Sequence, residues 1–205
     1  MMLMSDIHVR SFTGAQLKTY LHTIAKLRMT IFKEYPYLAE QDLQRETDYV
    51  RKIAIHKESI GVLIFDNTIL VGVALGLPLI AEDPQMQQPF IERGLPVENY
   101  YFFSASTLLK PYRGRGIGHH FYDVRETHVK HYNKFSHICF CTPVRPANDP
   151  QRPADYQPLD DFWRKRGYVH QPEIQGHYQW TEVGKQHPEE KTLAFWIKDL
   201  HAEDL

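Results

Sequence analysis

The segment with the clearest chemical content is the glycine-rich stretch Arg113-Gly-Arg-Gly-Ile-Gly118. It follows residues 100–109, an aromatic and β-branched run that predicts a strand, and it opens a run of helical periodicity. The first turn of a helix leaves backbone N–H groups without intrahelical partners, and the helix dipole is positive at that end. Glycines let an anion approach the backbone closely. The segment therefore predicts a phosphate-binding turn, to which Arg113 and Arg115 add positive charge.

The glycine spacing limits which kind of phosphate-binding loop this is. Gly114, Gly116 and Gly118 lie two residues apart, whereas a dinucleotide-binding loop has the pattern Gly-x-Gly-x-x-Gly. A Walker loop needs Gly-Lys-Ser or Gly-Lys-Thr, which this segment lacks. Two alternatives remain: a turn that only caps the helix, and an RNA-binding arginine-glycine segment, although such segments are longer and disordered.

The pattern Arg-x-x-Gly-x-Gly resembles the acyl-CoA loop of the GNAT acyltransferases, and the preceding Pro111-Tyr112 fits that loop. The order of the predicted elements and the segment Phe162-Trp-Arg-Lys-Arg-Gly-Tyr168 extend the resemblance over about residues 8–200. The resemblance implies that loop amides hold the pyrophosphate of acetyl-CoA. The residues concerned are Arg113, Gly114, Arg115, Gly116, Ile117, Gly118 and His119.

The resemblance also implies how the rest of acetyl-CoA is bound. Ser106, Thr107 and Leu108 end the preceding strand and pair with the pantetheine arm as an added strand would. A bulge typically splays this strand from its neighbour. A backbone N–H near Leu108 polarises the thioester carbonyl. A primary amine attacks that carbonyl directly in a ternary complex, so the implied activity is that of an N-acetyltransferase.

Such a reaction needs an acid for the leaving thiolate and a base for the amine. Many GNAT proteins have a tyrosine in the short helix as the acid, but this chain has Trp163 at that register. An asparagine that often contacts pantetheine, seven residues earlier, is replaced by Tyr156. Tyr156 or water is therefore the candidate acid. Glu34, just before Pro36, is the candidate base, with a solvated helix end as the alternative interpretation.

The proline-rich segment 145–158 lies where acceptor specificity is expected. Arg145 is a candidate for binding a carboxylate of the acceptor and Asp160 for binding a cation, and a solvent-facing charge is the alternative for each. The acceptor itself stays open among polyamines, aminoglycosides, amino acids and protein amines. Trp163 also motivates a second hypothesis, a non-catalytic acyl-CoA-binding or sensing module.

Histidines and cysteines give no sign of further chemistry. His120, His128 and His131 share a helix face at a spacing too wide for a zinc site, so we expect no metal. Cys139 and Cys141 alternate in an apolar run, which disfavours a disulfide between them and favours a reducing, cytoplasmic setting. A buried structural role is the expectation for Cys141.

The composition sets the outer limits. The 205 residues suit a single domain, and 42% hydrophobic with 24% charged residues excludes general disorder. A net charge of -1 argues against a nucleic-acid partner. The longest apolar stretch, residues 69–81, contains two glycines and a proline and is shorter than the roughly 20 residues of a membrane helix. The first ten residues do not resemble a signal peptide. A homodimer is compatible with such a fold.

The elements that position the loop are predicted from hydrophobic periodicity. The pattern predicts a mixed α/β (α+β) fold with a largely antiparallel central sheet flanked by helices on both faces. In chain order it predicts a strand at 8–12, a helix after Thr13 that ends by Pro36, a helix at 40–55, a hairpin at 60–80, an irregular or partly helical connection at 82–99, a strand at 100–109, a helix after the glycine-rich loop, a strand at 137–144, a short helix at 159–166, and last strands from 168 onward and at 192–198.

Overall fold

A computed structural model describes residues 6–201 of the chain. The described strands are β1 (Ile7–Thr13), β2 (Ile60–Asp66), β3 (Ile69–Pro78), β4 (Tyr100–Leu108), β5 (His137–Pro143), β6 (Val169–Trp180) and β7 (Glu189–Asp199). The α-helices are α1 (Leu21–Phe32), α2 (Leu43–Ile55), α3 (Pro84–Ile91), α4 (Ile117–Tyr132) and α5 (Asp160–Lys165). Short 3-10 helices cover Gly14–Tyr20, Leu79–Ala81, Val97–Asn99 and Lys110–Tyr112.

The strands form one seven-stranded sheet in the order β1-β2-β3-β4-β5-β7-β6. The pairs β1/β2, β2/β3, β5/β7 and β6/β7 are antiparallel. The strands β4 and β5 are parallel, and their ladder joins residues 100–102 to residues 137–139. The predicted mixed, largely antiparallel sheet is therefore confirmed.

The described chain folds into two compact units. The first contains the described residues up to Ile31 together with Gln41–Leu77 and Phe103–Tyr132. The second contains Phe32–Glu40, Pro78–Phe102 and the residues from Asn133 onward. That residues 1–205 form a single domain stays a prediction.

Two glycines show how helices cover the sheet within the first unit. A Cβ at Gly61 of β2 would collide with the side chain of Leu17, from the 3-10 helix that leads into α1. A Cβ at Gly72 of β3 would lie 3.0 Å from the ring of Phe121 of α4. Gly72 pairs with Ile64, three residues beyond Gly61 on β2, so the two glycines belong to opposite faces of the sheet. The predicted flanking of both faces is confirmed.

Side-chain hydrogen bonds set where the helical segments leading to α1 and α2 begin. The backbone N–H of Thr13 donates to the side chain of Gln16 at 3.0 Å, so a 3-10 turn precedes α1. The carboxylate of Asp42 accepts from the N–H of Arg45 at 2.9 Å and caps α2. The second helix therefore begins at Leu43, three residues later than the pattern predicted.

The second unit has an aromatic core. The ring of Phe90 of α3 lies 4.9 Å from Tyr100 and 4.9 Å from Phe195, both at steep angles. The predicted irregular connection at 82–99 contains α3, which has Pro84 in its first turn, where a missing N–H costs nothing. Within residues 6–201, no helix combines the length and the apolarity needed to cross a bilayer.

Candidate functional site

The glycine-rich segment forms an exposed turn at the start of α4. Gly114 and Gly116 have φ angles of +72° and +77°, a conformation that side-chain-bearing residues rarely adopt. Apart from chain neighbours and, for Gly118, the nearby backbone of its own helix, no heavy atom of residues 6–201 lies within 4 Å of a Cβ placed at Gly114, Gly116 or Gly118. Ile117, by contrast, is buried and anchors the helix start. The backbone of this turn is thus accessible to a ligand.

Side chains hold the turn against the end of the sheet. The hydroxyl of Tyr112 donates to Asp66 Oδ2 at 2.7 Å, a bond that raises the pKa of Tyr112. The guanidinium of Arg115 lies 5.7 Å from the centre of the Tyr112 ring. Arg113 Nε donates to the carbonyl of Leu108 at 2.8 Å. Both arginines accordingly stay beside the loop.

Two of the amides predicted to bind the pyrophosphate have partners within the loop. The N–H of Arg113 donates to the carbonyl of Lys110 at 3.1 Å, and the N–H of His119 donates to the carbonyl of Gly116 at 3.1 Å. These two amides are paired within the loop's own turns, and the role predicted for the amides of residues 114–118, binding the anion, stays a prediction. Arg113 and His119 still flank the turn and place their side chains beside it.

The end of β4 shows an interruption in its side-chain alternation. Phe103 faces α4, since the guanidinium of Arg125 lies 4.0 Å from its ring centre. Ser104 faces the other way, and its hydroxyl lies 2.9 Å from that of Tyr49 on α2. In a regular strand Ser106 would share the side of Ser104, yet its hydroxyl accepts from Arg125 Nη2 at 2.6 Å. Such a change of side is what a β-bulge produces.

The residues predicted to pair with pantetheine come directly after this interruption. Ser106 is exposed, and Leu108 is half-buried. Thr107 is buried, and its hydroxyl donates to the carbonyl of Val73 at 3.1 Å. The side chain of Thr107 therefore bonds to the neighbouring strand β3, and only its backbone is a candidate for contact with a ligand.

Trp163 occupies an aromatic cluster in the second unit. Its ring centre lies 5.0 Å from that of Phe140 and 5.1 Å from that of Trp196. Phe140 also lies 5.1 Å from Tyr168. The indole packs as a hydrophobic side chain here, and its N–H is not acidic enough to protonate a thiolate. Trp163 therefore does not replace the tyrosine that the resemblance places at this register.

Tyr156 packs against a second tyrosine that the sequence analysis did not single out. The rings of Tyr156 and Tyr35 meet edge to face, with centres 4.7 Å apart and an interplanar angle of 80°. Burial raises the pKa of Tyr156, and the nearby Tyr35 and Asp160 raise it further. Burial and Asp149 likewise raise the pKa of Tyr35. Both hydroxyls are therefore protonated at neutral pH and are able to donate a proton.

Glu34 and Asp160 lie on separate segments of the second unit. Glu34 is half-buried in the turn after α1, and its carbonyl accepts from the N–H of Leu38 at 3.0 Å. Asp160 is the first residue of α5, and its carboxylate lies 3.7 Å from Arg164 Nη2. Their predicted roles as a base and as a cation ligand stay predictions.

The predicted role of Arg145, binding a carboxylate of the acceptor, stays a prediction, and the structure shows which partners within the chain Arg145 already has. Arg145 Nη2 lies 2.7 Å from Glu182 Oε1, and Arg145 Nε donates to the carbonyl of Pro36 at 2.7 Å. Arg145 Nη2 also lies 3.2 Å from the carbonyl of Tyr37. These donors are committed to the chain itself, so Arg145 anchors the segment 145–158 to the turn after α1.

Replacing Glu182 by glutamine is expected to destabilise the protein by about 3 kcal/mol, since it removes the buried carboxylate that Arg145 and Lys191 share. Glu182 is 3% exposed and lies 2.9 Å from Lys191 Nζ as well as 2.7 Å from Arg145. Burial alone would raise the pKa of Glu182, but the bonds from Lys191 and Arg145 outweigh it and hold the pKa below its ordinary value. Urea unfolding at pH 7 measures the loss.

The same variant has a characteristic pH dependence. The lowered pKa means that the ion pairs contribute stability above the ordinary pKa of 4.5, and that this contribution disappears as the pH falls through the lower, folded value. The difference between Glu182→Gln and the parent protein should therefore shrink in acid. The matched control is Glu189→Gln, because Glu189 also bonds Lys191 at 2.9 Å but is exposed, and it should change stability little. Equal losses in both variants would contradict the role given to Glu182.

The two cysteines are buried or half-buried thiols. Cys139 and Cys141 are free, and burial raises the pKa of each thiol, which disfavours the thiolate needed of a nucleophile. Cys141 Sγ lies 3.8 Å from the sulfur of Met86. His128 Nε2 lies 3.0 Å from the carbonyl of Glu58. Residues 6–201 contain no group of three or more His, Cys, Asp or Glu side chains placed to hold a metal ion.

Comparison with known proteins identifies the fold. No protein-family model matches the sequence, and no curated protein matches it. An acetyltransferase of the GNAT family from Streptococcus pneumoniae is similar in structure, with a TM-score of 0.57 at 12% identity over 95% of this chain and 100% of its own. A ribosomal-protein-alanine N-acetyltransferase from Brucella melitensis has a TM-score of 0.58 at 14% identity over 94% and 99% of the two chains.

A third similar structure, from Salmonella typhimurium, contains its cofactor acetyl-CoA. It has a TM-score of 0.58 at 8% identity and covers 95% of this chain and 94% of its own. At such identities the similarity establishes the fold, and the predicted resemblance is confirmed at that level.

Proposed function

We propose that this chain, which has the fold of the GNAT acetyltransferases, binds acetyl-CoA and transfers its acetyl group to a primary amine. The observation that carries the proposal is the turn at 113–118, where left-handed glycines expose backbone at the start of α4. A helix start of this kind attracts a diphosphate through oriented N–H groups and the helix dipole. The Salmonella typhimurium structure with acetyl-CoA supports the choice of ligand.

The open space beside the turn fits a diphosphate. A Cβ at Gly114 or Gly116 would meet none of the described atoms beyond the chain neighbours, and one at Gly118 none beyond those and its own helix backbone, so there is room for phosphate oxygens close to the backbone. The amides of residues 114–118 would bind these oxygens, and Arg113 and Arg115 would add positive charge. Ser106, Thr107 and Leu108 would pair their backbone with the pantetheine arm.

The bound thioester supplies an activated acetyl group, and the remaining steps fall to residues of the chain. A backbone N–H near Leu108 would stabilise the negative charge that develops on the carbonyl oxygen. Tyr156, which is protonated at neutral pH, would give a proton to the leaving sulfur. Glu34 is the candidate to take a proton from the amine, and Asp160 is the candidate to bind a positive charge on the acceptor.

The test is release of CoA from acetyl-CoA in the presence of a panel of amines. The panel contains a polyamine, an aminoglycoside, free amino acids and peptides with a free N-terminus or a lysine. Turnover with at least one amine, dependent on enzyme and saturable in acetyl-CoA, is the expected result. Absence of any acetyl-CoA binding in calorimetry would contradict the proposal.

Trp163 favours a second candidate function, a non-catalytic acyl-CoA-binding or sensing module. Its indole lies in the cluster with Phe140 and Trp196, at the position where the resemblance places a proton-donating tyrosine. A sensor would bind acetyl-CoA tightly and release no CoA with any amine of the panel. The same two measurements therefore separate the sensor from the enzyme.

A further inference from the structure

We propose that Arg125 is a positioning residue for acetyl-CoA, because it holds β4 in the shape that presents residues 106–108 to the pantetheine arm. The inference rests on the proposed function. It concerns a side chain on the middle of α4 that belongs to neither the glycine-rich turn nor the proposed acid and base.

Arg125 is unusual in being fully buried, with 0% of its surface exposed. Burying a guanidinium is costly unless its N–H groups are satisfied. Arg125 Nε donates to the carbonyl of Phe121 at 2.8 Å, which fixes the side chain to its own helix. The guanidinium also lies 4.0 Å from the ring centre of Phe103 and 5.1 Å from that of Tyr122. It is therefore held in a single orientation between helix and sheet.

The outer nitrogens of Arg125 reach two neighbouring strands. Nη1 donates to the carbonyl of Leu75 on β3 at 2.9 Å and to the carbonyl of Ser104 on β4 at 3.1 Å. Nη2 donates to the hydroxyl of Ser106 at 2.6 Å. One rigid guanidinium thus fixes β4 on both sides of Ala105, where the side-chain alternation is interrupted.

The interruption affects the orientation of the next residues along β4. Changing the side on which Ser106 lies also changes which way the peptide groups of those residues point. They are the residues proposed to pair with pantetheine. Without the bonds to Ser104 and Ser106, the segment is free to return to regular alternation, and the backbone donors and acceptors of residues 106–108 would be misdirected.

A second buried arginine of the same unit supplies a matched control. Arg28 is 4% exposed, and its Nε donates to Glu46 Oε2 at 2.8 Å. Its Nη1 also lies 3.4 Å from the hydroxyl oxygen of Ser104. It lies on α1, whereas Arg125 lies on α4. Loss of Arg28 therefore disturbs a buried ion pair next to β4 without removing the bond to Ser106.

The experiment compares binding of two probes by calorimetry to Arg125→Lys, Arg28→Lys and the parent protein. The probes are CoA and adenosine 3′-phosphate 5′-diphosphate, which keeps the diphosphate but lacks pantetheine. Lysine keeps the charge of arginine but not its planar set of donors. We expect Arg125→Lys to weaken CoA binding about 10-fold more than it weakens binding of the truncated nucleotide. Arg28→Lys should change the two affinities by the same factor.

An unchanged ratio of the two affinities in Arg125→Lys would overturn the inference, even if both probes bound less tightly. Should Arg125→Lys fail to fold, Ser106→Ala decides, since it removes only the hydroxyl that accepts from Arg125 Nη2 at 2.6 Å. That variant should weaken CoA about 3-fold relative to the nucleotide, and no change would count against Arg125. If the parent protein binds neither probe, the proposed function itself is wrong.

Discussion

Gly116→Glu should weaken acetyl-CoA binding by on the order of 100-fold or more. The glutamate side chain would enter the space beside the backbone that the diphosphate is proposed to occupy, and its charge would repel the phosphates. Gly116 has a φ of +77°, so the variant also carries backbone strain. Calorimetry with acetyl-CoA measures the loss.

A control for the backbone strain is available at Gly184, a glycine with nearly the same φ angle. Gly184 has a φ of +80°, and as at Gly116, no described atom beyond its chain neighbours lies within 4 Å of a Cβ placed there. Gly184→Glu should therefore lose similar stability but keep its affinity for acetyl-CoA. A folded Gly116→Glu protein that binds acetyl-CoA as tightly as Gly184→Glu would refute the proposed binding turn.

Tyr156→Phe should lower kcat by about 100-fold, a typical contribution of a general acid, with little effect on the affinity for acetyl-CoA. An acid acts only while protonated, so activity that depends on Tyr156 falls as the pH rises through its pKa. Burial raises that pKa above its ordinary value of 10.0, so the alkaline loss should lie above pH 10.0 and be absent from the variant. Steady-state rates across pH with a reactive amine measure both effects.

Tyr35→Phe is the matched control for this prediction. Tyr35 packs edge to face on Tyr156 at 4.7 Å and also has a raised pKa, so its hydroxyl is a competitor for the same role. The control should keep kcat within a few-fold, because the ring that supports Tyr156 is retained. An undiminished rate in Tyr156→Phe would show that water or another group protonates the leaving thiolate, and a loss in Tyr35→Phe alone would assign the acid to Tyr35.

Local patterns were sufficient for the elements and for the position of the glycine-rich turn. The periodicities of strands and helices depend on neighbouring residues, and the predicted hairpin at 60–80 appears as β2 and β3. The left-handed angles of Gly114 and Gly116 likewise reflect a requirement that only glycine meets easily. Helix boundaries were less predictable, since the start of α2 depends on Asp42 acting as a cap.

The sequence by itself determined that this protein is a mixed α/β chain with a glycine-rich, positively charged turn at a helix start, because both properties are encoded in contiguous residues. Only the tertiary structure decided what the isolated polar residues do. Arg145 meets a carboxylate 37 positions later, Tyr35 packs on Tyr156, and Arg125 binds strand residues 19 to 50 positions away. A side chain's partner at such separations depends on how strands and helices pack, so the spacing of nearby residues in the sequence does not predict it.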